Sequence, residues 1–167
     1  LILKWRGDPV AFFREALKFE VLDEGQIIVA ESVLKNKYTV VRSGHGIGKS
    51  TMAAWLIKFI LDTRPMSKGT VTAVTDEQLR TKTWAELGKW HYMSLTSHWF
   101  DYTSARGSMT LTHADKRYAG TWRCDARTCR KEKSEAFAGQ HAPTATSFYI
   151  FDESSGIHDP IFKVREG

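Results

Sequence analysis

A chain of 167 residues is long enough for one domain with a substantial core and too short for two large ones. Hydrophobic residues make up 42% and charged residues 26%, and no run approaches the ~18 uninterrupted apolar residues that a membrane span requires, so no membrane-spanning helix is expected within this sequence. The net charge of +5 suits a polyanionic partner without specifying one.

Leu1-Ile2-Leu3 is broken at once by Lys4, Arg6 and Asp8, so the N-terminus does not read as a signal peptide and a cytosolic address is expected. Cys124 and Cys129, without a secretory context, read as reduced thiols; their spacing to His113 or His141 matches no common zinc pattern. Asp8-Pro9 has the form of an N-cap followed by a first-turn proline and opens a short helix through about Lys18, with Phe12, Phe13, Ala16 and Leu17 available for packing. Asp23 and Gln26, three apart, have the spacing of a capping box ahead of Ile27, Ile28, Ala30, Val33 and Leu34 at helical intervals. The period then changes: Tyr38 to Arg42 is β-branched and aromatic and is predicted to be a buried strand.

That strand feeds Ser43-Gly44-His45-Gly46-Ile47-Gly48-Lys49-Ser50, followed by Thr51, a glycine-rich turn that ends in Gly-Lys-Ser at the mouth of an apolar helix. The residue types fit a phosphate-binding loop (P-loop). Glycines allow backbone N–H groups to curl around an anion, and the positive end of the following helix dipole points at the same place. Lys49 is then expected to reach the β- and γ-phosphates and Ser50 to offer its hydroxyl to Mg²⁺. Ser43 stands where the strict pattern has glycine. The helix from Lys49 to about Thr63 is apolar on most faces and is predicted to lie between a sheet and another layer; Arg64-Pro65 ends it.

Thr70 to Val74 reads as a second strand, and Asp76 is predicted to cap a long helix carrying Gln78, Leu79, Trp84, Leu87, Trp90 and His91. Met109 to Thr112 and Tyr118 to Cys124 read as strands of a half-exposed hairpin around Ala114-Asp115-Lys116. The basic stretch Lys116 to Lys133 fits two readings equally, an edge that contacts nucleic acid or nucleotide and a solvated hairpin face. Ser147 to Phe151 is a further apolar strand, and Asp152-Glu153 emerge at its C-terminal end, where ligands of open α/β sheets bind. Asp152 is expected to hold Mg²⁺ through its water shell, and Glu153 to polarise the water that attacks the γ-phosphate. Strands alternating with helices imply an α/β domain with a mostly parallel central sheet covered on both faces, a three-layer arrangement.

The order of motifs resembles the ATPase domain of phage terminase large subunits, the motors that package viral DNA. The resemblance runs from Trp5-Arg6-Gly7-Asp8-Pro9 through Gln26, the loop at 43–50, Thr72-Ala73-Val74-Thr75 with Gln78, and Glu135 to Ala142, to Phe151-Asp152-Glu153-Ser154-Ser155-Gly156-Ile157. It implies one P-loop nucleoside triphosphatase domain of the type that carries an additional catalytic glutamate, spanning 1–167, with 1–37 a helical adenine-motif lead-in and 38–167 the P-loop core. ATP and Mg²⁺ are the implied ligands, hydrolysis of ATP the reaction and double-stranded DNA the load. A portal protein and a small terminase subunit are the implied partners, and the working form is a ring of copies in the cytosol of a bacterial host. Gln26 should read the adenine edge, with Trp5 or Arg6 nearby. Many terminases have an arginine at the place of His45, and Arg106, Arg117, Arg123 and Arg127 are candidates for an arginine supplied by a neighbouring subunit. In the family a coupling motif and a nuclease domain follow further on, and neither is in this sequence, so the chain reads as the N-terminal portion of a larger protein or as an ATPase fragment, without the nuclease activity. A helicase-like DNA-dependent ATPase, or a nucleotide-gated binding module with negligible hydrolysis in isolation, are the alternatives.

Overall fold

The structure, a computed structural model, describes residues 1–42, 48–128 and 145–152. Helix α1 (Ile2–Gly7) passes directly into α2 (Pro9–Glu15), where the Asp8 carboxylate accepts from Ala11 N at 2.9 Å and Pro9 occupies the first turn, as the Asp-Pro pair predicts. The regular helix stops at Glu15, short of the expected Lys18. Ala16 and Leu17 still bury fully, and Lys18 adopts φ 58°, a left-handed conformation that ends the helical path. Helix α3 (Glu24–Lys35) starts with the predicted capping box: Asp23 Oδ1 accepts from Gln26 N at 2.7 Å, and Gln26 Oε1 accepts from Asp23 N at 3.0 Å.

The segment from Tyr38 to Arg42 departs from its expected form. It forms no strand, and Tyr38, Val40 and Val41 are 41%, 71% and 46% exposed. Its β-branched composition favours extended backbone but names no partner, and a strand exists only where a ladder accepts its N–H and C=O groups. Here the Thr39 hydroxyl instead lies 3.0 Å from that of Ser32, holding the segment against α3.

Helix α4 (Lys49–Thr63) has the predicted bounds, and its apolar residues on nearly every face are buried. Arg64 leaves helical geometry ahead of Pro65, at φ −126° and ψ 97°. Four residues later the chain enters β1 (Lys68–Ala73). A continuous helical path follows: α5 (Asp76–Gln78), a π-helical turn (Leu79–Thr83) and α6 (Trp84–Met93). Its N-cap is Thr75, one residue before the predicted Asp76; the Thr75 hydroxyl accepts from Gln78 N at 3.1 Å. A 3₁₀ turn (Ser97–Trp99) leads into β2 (Phe100–Ala105), β3 (Ser108–His113), β4 (Arg123–Thr128) and β5 (Ser147–Phe151).

The described strands form one open sheet in the order β2-β3-β4-β1-β5. β1 pairs in parallel with β4 and β5, whereas β3 is antiparallel to both β2 and β4. The sheet is therefore mixed, not mostly parallel. The difference arises in two places. β2 is absent from the sequence-based expectation, because its exposed Asp101, Thr103 and Ser104 hide the strand pattern of a sheet edge. The predicted second hairpin strand starts at Arg123 and not Tyr118, because Tyr118 to Trp122 form turns in which Tyr118 O accepts from Thr121 N and Trp122 N.

The sheet's apolar face (Val71, Ala73, Met109, Leu111, Cys124, Ala126, Phe148) shares one core with α2, α4 and α6. Gly69 makes room for that packing: a Cβ on it would lie 2.1 Å from the Phe148 ring. An aromatic chain joins the helices, with Phe13 5.2 Å from Trp55, Trp55 4.7 Å from Phe19, and Trp90 within 5.6 Å of both Phe19 and Trp55. Thr70, Thr72, Asp125 and Arg127 alternate onto the opposite face of β1 and β4. Among the described residues the helices pack on the Val71 face, so the described architecture is a helical layer on a mixed sheet. Within α4, Lys58 and Asp62 form a fully buried pair at 2.9 Å, and Asp62 also accepts from the Thr96 hydroxyl. Burial pushes the Lys58 ammonium down and the Asp62 carboxyl up, and their mutual attraction opposes both shifts.

Candidate functional site

The carboxyl ends of β4, β1 and β5 lie side by side, because all three strands run parallel. The short connection from Arg64 to Ser67 reverses the chain between α4 and β1, which returns the N-terminus of α4 to that same edge. Gly48 enters α4 at φ 61° and ψ 21°, a left-handed geometry that an L side chain resists. Lys49, Ser50 and Thr51 form the first turn, and their backbone N–H groups are among those that a helix leaves without intrahelical acceptors. Ser43, Gly44, His45, Gly46 and Ile47 lie outside the described residues, as does Glu153.

Two side-chain bridges tie α4, the π-turn and β5 together. Asp152, directly after β5, is held by its backbone N–H to Thr72 O at 2.9 Å, and one carboxylate oxygen accepts from the hydroxyl of Thr83 at the end of the π-turn. One turn later, Glu86 accepts from the Thr51 hydroxyl at 2.9 Å. The loop helix and the acid-bearing strand, about a hundred residues apart in sequence, are thus linked through Thr83 and Glu86. Sequence reasoning missed both. The available signal was their three-residue spacing, which sets two polar groups on one side of a helix whose other positions, Leu79, Trp84, Leu87 and Trp90, are buried.

Gln26 also belongs to this end. Its amide nitrogen lies 3.7 Å from the position a Cβ would occupy on Gly48, while its amide oxygen is engaged in the α3 capping box. Trp5 and Arg6 do not join it. Trp5 is buried, edge-on to Phe12 at 5.4 Å, and its indole N–H donates to Glu15 at 2.7 Å. Phe12 in turn lies 5.6 Å from Phe59, in the last turns of α4. Arg6 acts on Arg64, whose guanidinium is lowered first by burial and then by the positive charge of Arg6. Arg64 caps the far end of α4, about 20 Å from Lys49 along a helix of this length. The structure thus places Trp5 and Arg6 at the end of α4 opposite Gly48, where the α1–α2 unit packs.

Of the candidate arginines, two have carboxylate partners in their own chain. Arg117 forks onto Asp115, with contacts down to 2.6 Å, and the pairing holds the Asp115 carboxyl down at about 2. Arg123 forks onto Asp125 through its Nε and a terminal nitrogen. Arg106, in the β2–β3 turn, and Arg127, near the carboxyl end of β4, are exposed. The basic stretch is thus partly neutralised internally, and Trp122 within it is structural: its indole N–H donates to Leu61 O at 2.9 Å and its ring stacks on His113 at 4.5 Å. Arg130, Lys131, Lys133, Cys129, His141 and the segments Glu135 to Ala142 and Ser154 to Ile157 lie outside the described residues. Cys124 is buried in the core, and burial raises its thiol well above its ordinary value, which makes it unreactive. No helix among the described residues is long and apolar enough to cross a membrane.

No family model matches the chain, and no solved structure matches it. Over 141 residues, 84% of its length, the chain is 28% identical to a protein of Enterobacteria phage P7 described as a probable terminase, large subunit, and it spans 28% of the length of that relative. This is a distant similarity to a protein described as a terminase large subunit.

Proposed function

We propose that the chain is the ATP-hydrolysing portion of a DNA-packaging motor, a P-loop domain that binds ATP and Mg²⁺ at the edge where α4 begins and β5 ends and drives double-stranded DNA. The observation that carries the reading is the bridged edge itself. Thr83 on Asp152 and Glu86 on Thr51 bring the helix that opens with Gly48-Lys49-Ser50 to the end of β5, which Asp152 directly follows.

The donor set fits a magnesium nucleotide. A left-handed glycine opens a long helix, a lysine and two hydroxyl residues follow in its first turn, and among the described residues Asp152 engages Thr83 through one carboxylate oxygen. Lys49 and the N–H groups of the first turn would hold the phosphates, with Ser43 to Ile47 completing the loop. Ser50 and Asp152 would hold the metal. When bound, the metal supplies charge neutralisation between the phosphates. Glu153 would orient and deprotonate the attacking water, and the proximity of Gln26 to Gly48 supports its assignment to the adenine. In this reading double-stranded DNA, a portal protein, a small terminase subunit and further copies of the chain are the working partners, and an arginine from a neighbouring copy completes the site; Arg106 and Arg127 are the candidates without a carboxylate partner in the hydrogen-bond network described above.

Two variants test it. Lys49→Ala is expected to weaken binding of a fluorescent ATP analogue at least tenfold and to abolish phosphate release, while Glu153→Gln keeps binding and loses release. Equal phosphate release in both variants and the parent would refute the assignment, as would a parent chain that binds no nucleotide. Because a neighbour's arginine is invoked, phosphate release per chain is expected to rise with protein concentration.

A further inference from the structure

Thr83 is fully buried, yet it is a hydroxyl residue among the tryptophans and leucines of the helical layer, and its position could be filled by valine at equal volume. A buried hydroxyl costs free energy unless it has a partner. The partner here is the Asp152 carboxylate, 69 residues away in sequence, at the carboxyl end of β5. The contact comes from an unusual piece of backbone: Leu79–Thr83 is a π-helical turn in which Trp84 N reaches back to Leu79 O, and Thr83 is its last residue. Such turns insert one residue into a helix and re-aim the side chains beyond it. Asp152 has a second tether, its own N–H to Thr72 O. Backbone and one carboxylate oxygen are therefore both fixed, and the rotamer of the acid is set before any ligand arrives.

We infer that Thr83 is a positioning residue for a divalent cation: its hydroxyl, delivered by the π-turn, holds the Asp152 carboxylate in the orientation that presents the remaining oxygen to the Mg²⁺ of a bound nucleotide. The inference rests on the proposed nucleotide site. Without the Thr83 hydroxyl, the carboxylate must be ordered at the moment the metal binds, so the loss falls on metal affinity. Grip on the phosphates, which belongs to Lys49 and the loop, is left intact. Outer hydrogen bonds of this kind typically change metal affinity 10- to 100-fold.

The test is a Mg²⁺ titration of fluorescent ATP-analogue binding to the 167-residue chain, read by anisotropy, beside the same measurement in EDTA and a thermal melt. Thr83→Val is isosteric and removes only the hydroxyl; Thr83→Ala serves if the valine variant does not fold. Either is expected to raise the Mg²⁺ concentration at half-maximal binding ~10-fold with EDTA affinity unchanged, and Thr83→Ser, which keeps the hydroxyl, to stay within about twofold of the parent. A Mg²⁺ midpoint equal to the parent's in Thr83→Val and Thr83→Ala overturns the inference, even if both melt lower, because that is the signature of a purely structural tie. So does a serine variant shifted as far as valine, or an EDTA affinity that falls in step. A parent chain with no Mg²⁺-dependent binding sinks the proposed function along with the inference, whereas a parent that binds with unshifted variants sinks the inference alone.

Discussion

Thr51 and Trp90 share one acceptor: a single carboxylate oxygen of Glu86 receives the Thr51 hydroxyl at 2.9 Å and the Trp90 indole N–H at 3.1 Å. The first turn of α4 is thereby pinned to α6 at the end that opens toward β5. Glu86→Ala removes the acceptor from two part-buried donors and is expected to destabilise the chain by about 1–3 kcal/mol, with Glu86→Gln, which retains a carbonyl oxygen, closer to the parent. Urea unfolding measures it, and equal midpoints for alanine and parent would show that the donors find water at no cost.

Gly48→Ala should cost about 1–2 kcal/mol through backbone strain alone. Among the described residues the added Cβ meets nothing nearer than the Gln26 amide nitrogen at 3.7 Å, an ordinary contact, so the loss expected is that of φ 61°. Gly48→Asn is expected to cost less than alanine, since asparagine tolerates the left-handed region. A thermal melt in which the two variants rank the other way would contradict a left-handed Gly48.

Gly69→Ala produces the opposite kind of defect, a collision inside the core. Three Phe148 ring atoms lie 2.1 to 2.6 Å from the new Cβ, and the ring is held between β1 and the helical layer. Overpacking of this kind costs about 1–3 kcal/mol. Adding Phe148→Leu should recover part of the loss, so the double variant is less destabilised than the sum of the singles. Additive losses would mean that the ring is not the obstacle.

His91 gives the fold an acid-sensitive term. Burial, and after it the positive charge of Lys58, lowers the imidazole to about 4, against a weaker opposing effect from its hydrogen bond to the Phe100 backbone. The folded chain keeps His91 neutral, while the unfolded chain takes up a proton below about 6.5. The stabilisation is therefore complete above that pH and is lost as pH falls toward 4, with a slope approaching ~1.4 kcal/mol per pH unit in between. The charged group acting on it is Lys58, itself paired with Asp62, and the Tyr102 ring stacks on it while the Tyr92 ring lies tilted alongside. Urea unfolding at intervals from pH 4.5 to 7 should show a shallower slope for His91→Asn than for the parent; parallel slopes would rule His91 out as the source.

Elements specified by their own neighbours were readable without coordinates. The capping box at Asp23 and Gln26 and the bounds of α4 between Gly48 and Arg64 depend on residues within one or two turns, and β5 shows in the sequence as the bulky apolar run Phe148 to Phe151. Elements that depend on a distant partner were not. Tyr38 to Arg42 has the composition of a strand but is held against α3 through Thr39, and β2 is a strand whose outward polar residues conceal it. At the site, the helix opened by Lys49 and the acid at Asp152 could be named from residue types and spacing. Their connection through Thr83 and Glu86 could not, because it depends on how the helical layer packs on the sheet. Trp5 shows the converse: the resemblance expects it near the adenine, whereas its ring is buried edge-on to Phe12 and its indole N–H donates to Glu15.

The π-turn at Leu79–Thr83 also sets the rotational phase of everything after it. An ordinary helical turn through the same stretch would accommodate one residue fewer, so regular α-helix at unchanged chain length would leave one residue over and turn α6 by about 100° around its own axis. Trp84, Leu87 and Trp90 would then swing out of the core together, and Glu86 would lose Thr51 in the same step. Straightening the turn would therefore cost the chain part of its core and the tether on α4 together.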